Sequence, residues 1–121
     1  MSNKDMKNQS NYFLFGKEEP EIPVDEGVTR QLLGYNDSLM MARARFEEGA
    51  IGYKHQHPHS QLAYVESGAF DFTVGSETMR LERGDCAYIP PNVEHGAQCV
   101  EAGVLLDVFS PAREDFLSQN D

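Results

Sequence analysis

The chain has 121 residues, 40% hydrophobic and 25% charged, with a net charge of −10 at pH 7. That length accommodates one core. The acidic balance argues against a nucleic-acid or anionic-membrane partner, which would call for a basic face, and any anionic small molecule would need arginine close by.

In chain order, MSNKDMKNQS is polar and aperiodic, and residues 1–20 are expected to form a flexible arm ahead of a single domain at 21–121. Within it NYFLFG suits a short strand carrying three aromatics and no core of its own. The expectation is that it pairs with the sheet edge of a second copy, giving a two-fold homodimer. KEEPEIPVDEG, acidic and proline-bearing, reads as linker or sheet edge. VTRQLLGY and LMMARARF flank the turn residues Asn36 and Asp37, and QLAYVES and AFDFTVG flank Gly68. In the last of these Phe70, Phe72 and Val74 share one face while Asp71 and Thr73 share the other. ETMRL, CAYIP, HGAQCV and VLLDVF follow, separated by turn residues. Short strands at this spacing predict an all-β sandwich or small barrel. One helix is expected at the C-terminus, with Ser110 as N-cap, Pro111 at the first helical position and AREDFLSQ after it. Cys86 and Cys99 form no CxxC and read as buried free thiols, a disulfide between them being the alternative. No signal peptide, spanning apolar run or lipidation signature is read, so the expected location is the cytoplasm.

YKHQHPHSQLAYVESG gathers three of the four histidines. Residues two apart on a strand face the same way, so His55 and His57 can aim at one point, and neutral imidazole suits first-row divalent metals. His-x-His alone is a weak signal. The surrounding grammar strengthens it: Gly49 stands six before His55, Gln61 four after His57, and Gly84, Pro90 and His95 follow in a second block.

GAIGYKHQHPHSQLAYVESG and GDCAYIPPNVEH resemble the two motifs of the cupin superfamily. The resemblance implies an antiparallel jelly roll, or double-stranded β-helix, holding one divalent metal. Its ligands would be His55, His57 and His95, with Gln61 where glutamate is usual. Asn92 stands where many members have glycine, and Cys99 where asparagine is frequent. His59 matches no ligand position. A neutral amide in place of glutamate leaves the ion its full charge, favouring an anionic incoming group such as a carboxylate. Zinc, nickel, manganese, iron and cobalt all suit such a donor set.

VLLDVFSPARED is the second informative stretch. If Leu105 and Phe109 point inward, so does Asp107 by the period of two, and an inward carboxylate is costly unless paired or working. Arg113 could pair with Asp107, lie solvated on the helix, or fold over the barrel mouth. His-x-His-Pro-His-x-Gln together with DVFSPAREDF is similar to the KdgF-type cupins, the pectin-degradation proteins. That resemblance implies ring opening of 4,5-unsaturated hexuronate monomers to the linear 5-keto uronate, with Asp107, Phe109 and Arg113 as the working residues beside the metal. An oxidative, dioxygenase-like cupin and a non-catalytic sugar-binding cupin are the competing readings.

Overall fold

The computed structural model describes residues 8–119, so the first seven residues of the expected arm lie outside the described part. Eight strands and one short helix follow in order: β1 (Ile22–Asp25), β2 (Val28–Asn36), β3 (Leu39–Phe46), β4 (Ile51–His55), β5 (Ser60–Val74), β6 (Glu77–Glu82), β7 (Cys86–Ile89), β8 (His95–Ser110) and α1 (Glu114–Gln119). All pairings are antiparallel. No described helix is long and apolar enough to cross a membrane.

β5 and β8 pair along their whole length, from Ser60↔Ser110 to Val74↔His95. Each half of this long pair has different neighbours. The half containing Gln61 and Phe109 carries β7 on one side and β3, β2 and β1 on the other; the half containing Phe72 and Ala97 carries β6 and β4. The result is the two-layered jelly roll expected from the motifs.

The sequence divides each of these long strands in two, at Gly68 and at Glu101–Gly103, whereas both run through. The reason is a close crossing. Gly68 has φ +79° and Gly103 packs its Cα against the Gly68 backbone, so a side chain at either would strike main-chain atoms. The ladder shifts register around Ser67 and Ala69 and continues.

The larger core cluster fills one end: Val28, Phe46, Val65, Phe70, Phe72, Ile89, Cys99 and Leu105 are all buried, with Phe46 and Phe70 edge-to-face. A second cluster of Leu32, Met40, Ala42, Phe109, Ala112 and Phe116 lies toward the other end, under α1.

Three local expectations are corrected. NYFLFG forms no strand: residues 8–20 pack beside β2, where Ser10 N–H donates to the Tyr35 carbonyl and the Gln31 amide donates to the Gly16 and Glu19 carbonyls. α1 starts at Glu114 rather than Pro111, because β8 stays paired through Ser110 and the Ala112 N–H is spent on the Asp37 carbonyl. Both thiols are free, but only Cys99 is buried; Cys86 is exposed.

Candidate metal centre

His55 ends β4 and His95 begins β8, where the two are directly paired. His57 follows in the link to β5, which the His57 carbonyl fixes by accepting from the Asn92 N–H at 2.7 Å. Asn92 has φ +63°, the left-handed conformation that glycine adopts freely and asparagine tolerates.

The three imidazoles converge. Ring centroids are 4.4 Å apart for His55–His95, 4.8 Å for His57–His95 and 5.4 Å for His55–His57. One ring nitrogen from each lies within 4.8 Å of the others, a group that can hold a metal ion. Nδ1 of His55 meets the Tyr53 carbonyl and Nδ1 of His95 the Val93 carbonyl, both at 2.9 Å. A carbonyl only accepts, so Nδ1 carries the proton in each and Nε2 keeps its lone pair. Nε2 of His95 is buried and has no hydrogen-bond partner among the described residues. A bare nitrogen in that position is costly unless it serves a cation. Burial holds His95 down at about 4, against the opposing bond to Val93, and burial also lowers His57. Both are therefore neutral near pH 7, as metal ligands must be.

Gln61 opens β5 and is buried; its Oε1 lies 2.9 Å from His57 Nε2 and its Nε2 donates to Asp107 Oδ1 at 3.0 Å. Asp107 does share the inward face with Leu105 and Phe109, which are 3% and 2% exposed. Burial raises its carboxyl to about 6, with the Gln61 bond and the nearby Arg113 and Arg30 charges pulling the other way.

Arg113 does not hydrogen-bond Asp107. It grips Asp115 through Nε at 3.0 Å and Nη2 at 2.8 Å, and its guanidinium carbon stands 4.4 Å from the Phe116 ring centre and 5.4 Å from that of Phe109. Phe109 contacts the His57 ring edge-to-face at 5.8 Å. His59 is half-buried, its ring 5.2 Å from His57 and 6.5 Å from Phe109. It stands behind the ligand group rather than within it.

Sequence reasoning missed Arg30, Asp115 and Phe116. Arg30 had a readable signal, since Val28 and Leu32 are inward and period two puts Arg30 with them. The other two depend on how α1 folds back, which no strand pattern encodes.

A jelly roll with three imidazoles gathered at one end is a cupin site. The family model described as "Cupin domain" matches residues 42–109, and the chain belongs to the cupins. Among its relatives is the pectin degradation protein KdgF of Dickeya dadantii (strain 3937), 40% identical over 108 residues that cover 88% of this chain and 97% of that one. Similar solved structures include two cupins. An RmlC-like cupin from Shewanella frigidimarina NCIMB 400 is 45% identical, with a TM-score of 0.88 over 90% of this chain and 98% of that one. KdgF from Halomonas sp. is 34% identical, with a TM-score of 0.84 over 88% and 99%.

Proposed function

We propose that the protein opens the ring of 4,5-unsaturated hexuronate monomers, the cyclic sugars left when lyases cut pectin or alginate, giving the linear 5-keto uronate. Near-full-length similarity to proteins named KdgF supports this reading. The observation that carries it is an inward carboxylate, Asp107, held by Gln61 beside three converging imidazoles.

His55, His57, His95 and Gln61 fit a divalent cation. His57 Nε2 and Gln61 Oε1, 2.9 Å apart, stand side by side, so both could serve as donors to one ion. When bound, the ion supplies Lewis acidity to the oxygen atoms where negative charge develops. The remaining steps fall to the chain. Asp107 takes the anomeric hydroxyl proton; C1=O forms as the C1–O5 bond breaks, and the electrons pass to O5 as the enolate of a 2-keto acid. A proton returned to C4, by Asp107 or by water, completes an isomerisation that needs no oxidant. Arg113 holds the carboxylate against the acidic background, and Phe109 packs on the sugar and limits water.

The test is to add metal-loaded protein to freshly made unsaturated monouronate without dioxygen. Ultraviolet absorbance of the C4=C5 bond should fall faster than in buffer while NMR shows the linear ketone. Activity that requires dioxygen would instead support the oxidative reading.

We further propose a two-fold homodimer. The outer face of the sheet carries a cross-strand row of Met41, Val108, Leu62 and Tyr88, with Leu106 and Tyr64 beside it. Next to it lie Leu39, 54% exposed, and the arm aromatic Tyr12, 80% exposed. Together these form a contiguous exposed apolar face of the kind a second subunit covers. The row carries no charge, so a second copy of an acidic chain can meet it without repulsion. Sedimentation at micromolar concentration should give twice the chain mass, and Leu62→Asp should halve it; a monomeric wild type would overturn the dimer. The free thiols Cys86 and Cys99 fit a reducing compartment, and we place the protein in the cytoplasm.

A further inference from the structure

Arg113 and Asp115 are two apart in sequence, a spacing that on a helix turns side chains about 200° from each other. They meet because α1 starts at Glu114 and Arg113 stands before its first residue. There the Asp115 carboxylate accepts from Nε of Arg113 at 3.0 Å and from Nη2 at 2.8 Å, one oxygen to each nitrogen. A fork of this kind fixes the plane of the guanidinium as well as its position.

The two partners differ in exposure. The Asp115 side chain is 57% exposed and that of Arg113 13%. The carboxylate therefore grips the guanidinium from the solvent side. Of the five N–H donors of an arginine the fork uses two, and the other three lie on the edges turned away from Asp115. The guanidinium carbon stands over the Phe109 and Phe116 rings, and Phe109 in turn meets His57 edge-to-face. The cation is thus held one ring away from the imidazole group.

Asp115 has two opposite effects on an anion arriving at Arg113. Its charge repels the anion, and its fork removes the freedom of a long side chain that would otherwise be ordered only on binding. Exposure decides between them. Water screens the charge of a carboxylate that is more than half exposed, whereas the geometry of the fork is not screened.

We propose that Asp115 is a positioning residue, which holds Arg113 aimed at the barrel mouth so that the carboxylate of the sugar meets an ordered cation. This rests on the uronate reading above and on the part Arg113 plays in it.

The experiment compares wild type, Asp115→Ala, Arg113→Ala and the double variant, each metal-loaded, on the unsaturated monouronate. Asp115→Ala should raise KM about threefold to tenfold, the cost of ordering one long side chain, and the effect should fall on KM rather than kcat. Tm should move little, because an exposed ion pair contributes little to stability. In the Arg113→Ala background, removing Asp115 should lower kcat/KM no further, since nothing is left to position. Asp115→Asn, which keeps one acceptor for the fork, should lie between wild type and Asp115→Ala. A KM at or below that of wild type in Asp115→Ala would overturn the proposal and leave Asp115 as a charge partner only. An undiminished loss in the Arg113→Ala background would overturn it too, because Asp115 would then act elsewhere. If Asp115→Ala does not fold, Asp115→Asn decides, a KM at or below wild type again counting against the proposal. Wild type that does not open the monouronate would defeat the uronate reading instead, and is distinguishable because it needs no variant.

Discussion

The two ends of the barrel draw on the same strands and present opposite chemistry. One end holds buried Phe70, Phe72, Val65 and Leu105, packed with Phe46 and Ile89. At the other, Gln61, Asp107 and Phe109 from one tip of the β5–β8 pair meet His95, with His55 beside it, from the opposite tip. Folding free energy comes from the first end by apolar burial. The second end works against it, because a carboxylate and bare imidazole nitrogens are removed from water there. The barrel therefore supports an unfavourable polar mouth on a core that takes no part in the chemistry.

Substitutions at the two ends should separate these contributions. The largest effect is expected from His95→Ala: activity should fall to the uncatalysed background and metal content to below about a tenth, as removing one imidazole from the group cuts affinity steeply. Retention of stoichiometric metal, measured by atomic emission, would break the ligand assignment. At the closed end, Phe70→Ala should cost about 3–5 kcal/mol of stability, read by urea denaturation, while turnover per folded molecule stays unchanged. A large fall in that turnover would mean the two ends are not independent.

A smaller effect sharpens the role of Gln61. Gln61→Glu should bind metal more tightly and turn over about tenfold more slowly, since a carboxylate cancels part of the charge that stabilises the enolate. Parallel metal titration and rate measurement check it.

The smallest effect is a pH-dependent difference in Tm. Burial raises Asp107 to about 6, so the folded protein binds this proton more tightly than the unfolded chain does. Wild type therefore loses stability as pH rises from about 4 through about 6, and Asp107→Asn, with no charge to bury, does not. In metal-free protein the mutant should melt with wild type near pH 4 and above it near pH 8. The lowered histidines shift stability the other way, but equally in both proteins, so they cancel in the difference.

Part of the polar end was legible from strand parity. Asp107 follows from Leu105 and Phe109, a relation that survives any detail of packing. His57 lies past the end of β4, so strand period does not set it beside His55; the motif resemblance did. What the sequence hid depends on long-range geometry. Gly68 and Glu101–Gly103 look like turns, yet they carry two unbroken strands past each other. NYFLFG looks like a strand, but Gln31 satisfies the carbonyls of Gly16 and Glu19 with its side chain and no ladder forms. Arg113 was open to three placements, and its bond to Asp115 depends on a one-turn shift in where α1 begins.

Asp107→Asn tests the central claim most directly, because the amide is nearly isosteric and can still accept the Gln61 hydrogen bond. Metal content and the rate of double-bond loss should be measured on one folded preparation at pH 8. The account predicts stoichiometric metal and a rate lower by about 10²–10⁴-fold, the contribution of a positioned base. Wild-type turnover in the folded, metal-loaded mutant would contradict it.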